Sequence, residues 1–241
     1  MNTPDTIRQI HQQHQFALVD IQDFPEFTFD VFSSEYLQRN HMLTGSATGR
    51  GTTWFFAHNN KEYVLRHYLR GGLVSKLLRD QFFHSAPEHS RAWQEFNLLL
   101  DLRREGLPVP RPCAALTVKS GIVFRSYLIT ERIKGARDLH QVLTQGPLPA
   151  DKWHEIGAMI KAFHKNGVYH HDLNIRNIML DEHDSPWLID FDKCGFKEGD
   201  TWKKENRDRL LRSFRKEKGL EKKLHWDETK FEELLSGYSN S

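Results

Sequence analysis

The chain has 241 residues, of which 38% are apolar and 27% are charged, and its formal net charge is only +2. This is the composition of a folded globular protein, and so small a net charge gives no whole-protein argument for nucleic-acid binding. No apolar run approaches the roughly 18 residues of a spanning helix, and the N-terminus lacks the pattern of a signal peptide. The length allows one large domain or two lobes around a cleft.

Two segments of the N-terminal third have the sequence pattern of β-strands. Alternating Phe27, Phe29 and Val31 indicate a first strand. Residues 43–56 then have the pattern of a strand, a glycine-rich turn with Gly49 and Gly51, and a second strand. Because glycine lets backbone N–H groups approach a phosphate closely, this turn is a candidate phosphate-binding loop. An ordinary hairpin turn is the alternative.

The next strand and helix carry a candidate ion pair. The strand at 62–68 places Arg66 where kinases carry a lysine, and arginine is also a good phosphate ligand. The helix predicted at 88–105 contains Glu95, and its apolar positions recur at helical spacing at Trp93, Phe96 and Leu100. We predict that Glu95 pairs with Arg66. The alternatives are a surface arginine and a solvated glutamate.

Two apolar strands follow at 113–118 and 122–130, and Glu131 comes directly after the second one. The sequence around Glu131 is typical of a kinase hinge, where backbone groups bind adenine. We therefore place a lobe boundary here and predict an N-lobe at 1–131 and a C-lobe at 132–241.

The strongest signal lies in the second half of the chain. His170, Asp172, Leu173 and Asn177 match the pattern H-x-D-L-x-x-x-N of a kinase catalytic loop. Asp190, in Ile-Asp-Phe-Asp, lies 190 − 172 = 18 residues after the first acid. An acid that orients a hydroxyl, together with an amide and an acid that hold Mg²⁺ on a nucleotide, are the groups that phosphoryl transfer requires.

The segment between Asn177 and Asp190 predicts how these two residues meet. Apolar runs at 178–180 and 187–189 flank a polar turn, which indicates a hairpin with both residues at its open end. A turn asparagine and a strand-end aspartate with only local hydrogen bonds are the alternative.

Several segments of the chain resemble the lipopolysaccharide-core kinases, a bacterial branch of the kinase superfamily. They are Leu65–Leu73, Tyr169–Ile178, Leu188–Lys193 and the series Trp202, Asn206, Arg209, Leu210, Arg212 and Ser213. The likeness extends from about residue 40 to residue 218. Within the family, the chain length favours the members that phosphorylate 3-deoxy-D-manno-octulosonic acid (Kdo) over the heptose kinases.

The resemblance implies an α+β, two-lobed protein-kinase-like fold with a small antiparallel β-rich N-lobe and a mainly helical C-lobe. It also implies ATP and Mg²⁺, with transfer of the γ-phosphate to the 4-hydroxyl of Kdo on a lipid A precursor. Asp172 would then accept the proton of the hydroxyl, and Asn177 and Asp190 would hold the metal. The nucleotide would be bound by Gly49, Gly51, Arg66, Glu95 and Glu131.

The expected partner is an anionic glycolipid at the cytoplasmic face of the bacterial inner membrane. Residues 73–83 mix apolar and cationic side chains, so we expect them to touch the headgroup layer as a peripheral contact. A helix that packs its leucines on the small lobe is the alternative. No nucleic acid and no obligate protein partner are expected.

Three alternatives to a Kdo kinase stay open at this point. They are a heptose kinase, a phosphotransferase for small molecules such as aminoglycosides, and a catalytically dead nucleotide-binding module. The basic segment at 197–223, with eleven Lys and Arg against six Asp and Glu, disfavours a cationic acceptor. The presence of Asp172, Asn177 and Asp190 together disfavours a dead module.

Overall fold

The computed structural model describes residues 5–48, 52–68, 82–83, 86–120 and 123–240. The chain divides into two compact units. The first unit consists of Met1–Leu100 and Arg111–Arg132, and the second consists of Asp101–Pro110 and Ile133–Ser241.

The first unit is built on an eight-stranded sheet in which all neighbouring strands are antiparallel. Its strands are β1 Ile7–Gln12, β2 Gln15–Asp20, β3 Leu43–Thr48, β4 Thr52–His58, β5 Lys61–His67, β6 Phe82–Phe83, β7 Pro112–Ser120 and β8 Val123–Glu131. The order is β1-β2-β7-β8-β5-β4-β3, and β6 also pairs with β8.

The core of this unit follows from the alternation of side chains along the strands. In β5, Tyr63 and Leu65 are fully buried, because successive strand residues point to opposite faces and these two share the inner one. Phe56 of β4 and Phe24 pack against the ring of Tyr63, with centroid separations of 5.2 and 5.3 Å. The buried residues of five strands thus form one aromatic and aliphatic cluster.

The predicted strand at Phe27–Val31 is wrong. Phe29–Phe32 form a 3-10 turn, followed by the short helix α1 Ser34–Arg39, which Ser33 caps by accepting a hydrogen bond from Tyr36 N. The physical reason is that the consecutive residues Val31 and Phe32 are both buried in the same core cluster. A strand would send neighbouring side chains to opposite faces.

The predicted helix at 88–105 is α2 Arg91–Arg104. It begins after Ser90, whose Oγ accepts a hydrogen bond from Trp93 N at 3.4 Å, the contact that serine makes at a helix N-terminus. The Ser90 hydroxyl also lies 2.6 Å from that of Thr117, so both buried hydroxyls are satisfied. Ala92, Trp93, Phe96 and Leu99 form the buried side of the helix.

The second unit is mainly helical. Its helices are α3 Leu139–Gln145, α4 Ala150–Lys165, α5 Thr201–Leu220 and α6 Glu228–Asn240. Its short strands are β9 Arg137–Asp138, β10 Val168–Tyr169, β11 Ile178–Leu180, β12 Pro186–Leu188 and β13 Gly195–Phe196. They form the three-stranded sheet β12-β11-β9 and the pair β10-β13. The predicted α+β fold class, with a β-rich N-terminal part and a helical C-terminal part, is confirmed.

Two glycines set the distance between α4 and α6. A Cβ atom at Gly157 would lie 2.0 Å from the carbonyl oxygen of Leu234 and 2.7 Å from the backbone nitrogen of Tyr238. A Cβ atom at Gly237 would lie 2.2 Å from the carbonyl oxygen of His154. Only glycine therefore permits this approach of the two helix backbones.

We predict that Gly157→Ala destabilises the protein by about 3 kcal/mol or more, because a backbone-to-backbone clash forces α4 and α6 apart. The matched control is Gly219→Ala in α5, where an added Cβ meets nothing within 4 Å. That change should be neutral or slightly stabilising, since alanine has the higher helix propensity. Urea unfolding curves measure both effects. Equal stability of the two variants would contradict the close packing of these helices.

Candidate active site

The catalytic-loop pattern begins where α4 ends. Asn166 N and Gly167 N donate to the carbonyl oxygens of Ala162 and His164, and Gly167 has φ +70°, a conformation that glycine adopts without steric cost. The chain then enters β10, which pairs with β13. The buried helix thus delivers His170 and the loop that follows it.

The structure brings Asp172, Asn177 and Asp190 into one neighbourhood. Asn177 Nδ2 donates to the carbonyl oxygen of Asp172 at 2.9 Å, which ties the two ends of the loop together. Ile189 N donates to the carbonyl oxygen of Asn177 at 3.0 Å. This bond extends the β11–β12 hairpin by one step and places Asp190 next to the residue that faces Asn177. The predicted hairpin is therefore present.

Asp190 lies at a sharp turn of the backbone. Its φ is +66°, in the left-handed region that aspartate enters more readily than most residues. The next residue, Phe191, is buried and packs against Phe163 of α4 and, edge-on, against His170 at 5.0 Å. Phe191 therefore anchors the turn that carries the Asp190 carboxylate.

His170 is a buried neutral side chain. Its Nε2 lies 3.0 Å from the carbonyl oxygen of Ile189, so this nitrogen must carry the proton. Its Nδ1 is buried and has no partner among the described residues. Burial lowers the pKa of His170 to about 4, because a charged ring would lose its hydration. The role of His170 is to tie the loop to the residue before Asp190.

A second buried histidine supports the same loop from behind. Asn206 Nδ2 donates to the carbonyl oxygen of His170 at 2.7 Å, so its Oδ1 must act as the acceptor for His164 Nε2 at 3.2 Å. His164 Nδ1, left without a proton, then accepts from the Tyr238 hydroxyl at 2.9 Å. Burial lowers the pKa of His164 to about 4. One neutral chain of hydrogen bonds thus connects α6, α4 and α5 to the catalytic loop.

Arg209 of α5 contacts the candidate catalytic acid. Its Nη1 lies 3.2 Å from Asp172 Oδ1, and the two side chains are 41% and 50% exposed. The Asp172 carboxylate is therefore half accessible to a substrate while one of its oxygens is held by a cation. From the sequence, Asn206 and Arg209 were features of the family likeness only, with no contact assigned. Their spacing of three places both on one helical face.

The remaining oxygen ligands suit a magnesium ion. With its Nδ2 engaged by Asp172, Asn177 has its amide oxygen left as a ligand, and Asp190 supplies a carboxylate. Mg²⁺ in nucleotide sites is usually held by one or two protein oxygens plus phosphates and water. Among the described residues no group of three His, Cys, Asp or Glu side chains could hold a metal alone. The donor pair fits an ion that arrives with a nucleotide.

In the first unit, Arg66 and Glu95 form the predicted ion pair. Arg66 Nη2 lies 3.0 Å from Glu95 Oε2, and the same oxygen accepts a 2.6 Å hydrogen bond from the Tyr68 hydroxyl. Glu95 is 3% exposed, whereas Arg66 is 27% exposed. A buried acid thus holds one side of a partly accessible guanidinium group, and its role toward a nucleotide stays a prediction.

The carboxylate of Glu131, predicted to lie at a nucleotide-binding hinge, is bound by Arg111. Arg111 Nε donates to it at 2.7 Å, and Glu131 N donates to the carbonyl oxygen of Arg111 at 2.9 Å. Arg111 also binds Asp20 and the fully buried Asp23, at 3.1 and 2.7 Å. Any adenine contact at this residue would therefore use its backbone carbonyl rather than its side chain.

Asp23 stays ionised although it is buried. Burial alone would raise its pKa, but hydrogen bonds from Arg111 and Lys61 outweigh this effect and lower the pKa to about 2. The Tyr63 hydroxyl also donates to this carboxylate, at 3.1 Å. No sequence pattern marked this cluster, because its members are far apart along the chain.

Two other predicted features lie largely outside the described residues. They are the glycines Gly49 and Gly51 and most of the predicted membrane contact at 73–83. In the described part of the chain, no helix combines the length and apolarity that crossing a bilayer requires.

We predict that the protein loses stability as the pH falls from about 6.5 to 4. Each buried histidine is neutral in the fold, whereas in the unfolded chain it gains a proton below its ordinary pKa. Protonation therefore favours unfolding, and the effect is absent above pH 6.5. For a folded pKa of about 4, His164 should contribute roughly 2 kcal/mol of lost stability at pH 5 relative to pH 7.5.

The measurement is the free energy of unfolding in urea at these two pH values. His164→Gln keeps a donor and an acceptor but cannot titrate, so its pH dependence should be weaker than that of the wild type by about this amount. Identical pH dependence in both proteins would rule out a neutral buried His164.

The model of the lipopolysaccharide kinase (Kdo/WaaP) family matches residues 34–238 of this chain. Among curated proteins, the 3-deoxy-D-manno-octulosonic acid kinase of Vibrio parahaemolyticus is 45% identical over 233 residues, 97% of this chain and 98% of that protein. The protein of the same name from Vibrio cholerae is 42% identical, over 86% of this chain and 87% of that protein. Its counterpart from Haemophilus influenzae strain PittEE is 39% identical, over 96% and 99%.

These matches cover nearly the whole chain, including both units and all the catalytic-loop residues described above. They confirm the family likeness predicted from the sequence and the prediction of an ATP-dependent phosphotransferase. The chain belongs to the lipopolysaccharide kinase (Kdo/WaaP) family.

Proposed function

We propose that the chain is a Kdo kinase, which transfers the γ-phosphate of ATP to the 4-hydroxyl of Kdo on a lipid A precursor. The observation that carries the proposal is the convergence of Asp172, Asn177 and Asp190 through the Asn177 hydrogen bond and the β11–β12 hairpin. Kdo as the acceptor is supported by the relatives from Vibrio and Haemophilus, which are named 3-deoxy-D-manno-octulosonic acid kinases.

Asp172 is the proposed catalytic residue. Its half-exposed carboxylate can accept the proton of the sugar hydroxyl while the hydroxyl oxygen attacks the γ-phosphorus and ADP leaves. The Arg209 guanidinium holds one carboxylate oxygen and so orients the other one.

Asn177 and Asp190 are the proposed Mg²⁺ ligands, through an amide oxygen and a carboxylate. The ion, when bound, neutralises charge on the transferring phosphate. The buried His170–Ile189 hydrogen bond fixes the backbone next to Asp190, so the protein keeps this ligand in place before a nucleotide arrives.

Arg66 is the proposed phosphate contact in the first unit. Arginine presents several donors to phosphate oxygens, and the Arg66 side chain stays 27% exposed while it pairs with Glu95. Gly49, Gly51 and Glu131 are the further proposed nucleotide contacts, the last through its backbone.

The proposed place of action is the cytoplasmic face of the bacterial inner membrane, where ATP and a membrane-embedded acceptor are both accessible. The protein would attach peripherally, with residues 73–83 as the proposed contact with the headgroup layer. The substrate is an anionic glycolipid.

The other acceptors have weaker support. A heptose kinase would share the family and the catalytic loop, but the relatives named above carry the Kdo kinase name. An aminoglycoside-type acceptor is cationic and would meet the Arg209 guanidinium that contacts Asp172. A catalytically dead module would not need Asp172 with one oxygen held by Arg209 and its side chain half exposed.

We predict that Asp172→Asn lowers kcat by at least about 10²-fold, because the amide cannot accept the hydroxyl proton. The assay is transfer of radiolabelled phosphate from ATP to the Kdo–lipid A precursor, with free Kdo, a heptose-bearing acceptor and an aminoglycoside as comparison acceptors. Asp208→Asn changes an acid one residue before Arg209 that pairs with Lys204; this variant is the control and should keep full activity. Near wild-type turnover of Asp172→Asn would remove this residue from the mechanism.

We predict that Arg66→Met raises the KM for ATP by about tenfold or more, because it removes a charge-assisted phosphate contact. Arg66→Lys should recover part of the loss, since lysine keeps the charge. The control is Arg132→Met, which removes an arginine of the same unit whose partner Glu62 is 50% exposed. Circular dichroism melting separates this effect from the destabilisation that follows when Glu95 loses its ion pair with Arg66 and keeps its hydrogen bond from Tyr68. An unchanged KM for ATP in a folded Arg66→Met protein would exclude Arg66 from the nucleotide site.

A further inference from the structure

Four cationic side chains surround an open pocket of about 330 Å³ in the second unit. Lys161 and Lys165 come from the end of α4, and Lys203 and Arg207 come from the first half of α5. Lys161 and Lys165 are four residues apart, as are Lys203 and Arg207, so each pair shares one face of its helix. The two helices thus direct two pairs of positive charges at the same space.

This positive charge is poorly balanced by the protein. Asp200 is the acidic residue of the pocket, and it pairs with Lys203 at 2.5 Å. Lys161, Lys165 and Arg207 form no ion pair with any acid in the part of the chain that the structure describes. Four cations and one acid give a formal lining charge of 4 − 1 = +3, since the buried His164 at this site is neutral.

Two of the four cations of the pocket pack on one aromatic ring. Lys161 Nζ and Arg207 Cζ lie 4.8 and 4.3 Å from the centroid of the Tyr238 ring, so one aromatic ring positions both cations. The hydroxyl of that ring is held by His164. Arg207 Nε is buried and has no hydrogen-bond partner among the described residues. Bringing like charges to one ring costs free energy that a bound anion would recover.

We propose that this pocket binds a phosphate group. A phosphate monoester carries nearly two negative charges and three acceptor oxygens, which matches an arginine and several lysines with one acid among them. The volume admits a phosphorylated sugar rather than a bare ion alone. The bound group is either a phosphate of the acceptor glycolipid headgroup or free phosphate. The first assignment rests on the proposed function.

The first experiment is lysine acetylation of the full-length protein with and without inorganic pyrophosphate, followed by peptide mass spectrometry. Lys161, Lys165 and Lys203 should be modified several-fold more slowly when pyrophosphate is bound. Lys216 and Lys223, exposed in the same unit, should react equally fast in both samples. This readout is local, so pyrophosphate bound at a nucleotide site elsewhere does not imitate it. Lack of protection at the pocket, or equal protection at Lys216 and Lys223, would overturn the proposal.

The second experiment distinguishes the two sources of phosphate. Lys161→Met combined with Lys165→Met removes two charges from the pocket, and Lys216→Met combined with Lys223→Met removes two charges from the control surface. If the ligand is the acceptor headgroup, the pocket variant should raise the KM for the Kdo–lipid A precursor by about tenfold or more, because charge-assisted contacts are lost, and should leave the KM for ATP unaffected.

If the ligand is free phosphate, pyrophosphate should protect Lys203 from acetylation in the wild type and not in the pocket variant. The KM for the Kdo–lipid A precursor should then be the same in the wild type and the pocket variant. The proposal would be overturned if the pocket variant kept both the protection of Lys203 by pyrophosphate and the wild-type KM for the Kdo–lipid A precursor. A failure of the proposed function, in which no Kdo acceptor is phosphorylated, leaves the acetylation result unaffected, so the two failures are distinguishable.

Discussion

The geometry of the catalytic loop depends on the side chain of Asn206. This amide is 2% exposed and uses both ends: Nδ2 donates to the carbonyl oxygen of His170, and Oδ1 accepts from His164. A buried amide left without partners costs about 1–3 kcal/mol, so the loop and α5 are held in a single register. Because His170 in turn binds the carbonyl oxygen of Ile189, one helix residue fixes the backbone positions before both Asp172 and Asp190.

The close crossing of α4 and α6 serves the same network. Gly157 and Gly237 let the two backbones approach, and this approach places the Tyr238 hydroxyl within 2.9 Å of His164 Nδ1. The ring of Tyr238 then faces Lys161 and Arg207. A single tyrosine therefore belongs to the buried network through its hydroxyl and to the basic pocket through its ring. The close packing at Gly157 and Gly237 therefore decides both arrangements.

The sequence predicted the elements that depend on local patterns. Helices α2 and α4 and the hairpin around 178–188, with Asn177 and Asp190 at its open end, follow from periodicity and motif spacing, because their signals lie within a few residues. The strand predicted at Phe27–Val31 failed because alternation over five residues does not reveal that Val31 and Phe32 enter one core. The N-terminal hairpin β1–β2 and helix α6 had no motif to mark them.

Long-range contacts could be predicted only where a motif specified both partners. The pairing of Arg66 with Glu95 could be predicted, since a kinase-type motif specifies both positions. The contact of Arg111 with Asp20 and Asp23 joins residues 91 and 88 positions apart, and its members look like ordinary surface charges along the chain. The same holds for His164, which has the spacing of a core residue in α4 and shows its polar role only when Asn206 and Tyr238 are in place.

The second unit buries neutral histidines, whereas the first unit buries an ionised aspartate. As the pH falls, the second unit should therefore lose stability before the first. The second unit relies on neutral histidines, whose folded pKa values near 4 lie below the ordinary value of 6.5, so its network weakens as the pH falls from 6.5 toward 4. The first unit relies on the ionised Asp23, whose folded pKa of about 2 lies below the ordinary 3.8. Its contribution is complete above pH 3.8 and is lost only as the pH falls toward 2. The catalytic loop is thus supported by the more acid-sensitive of the two networks, because a neutral imidazole can both donate to Asn206 and accept from Tyr238, whereas an imidazolium can only donate.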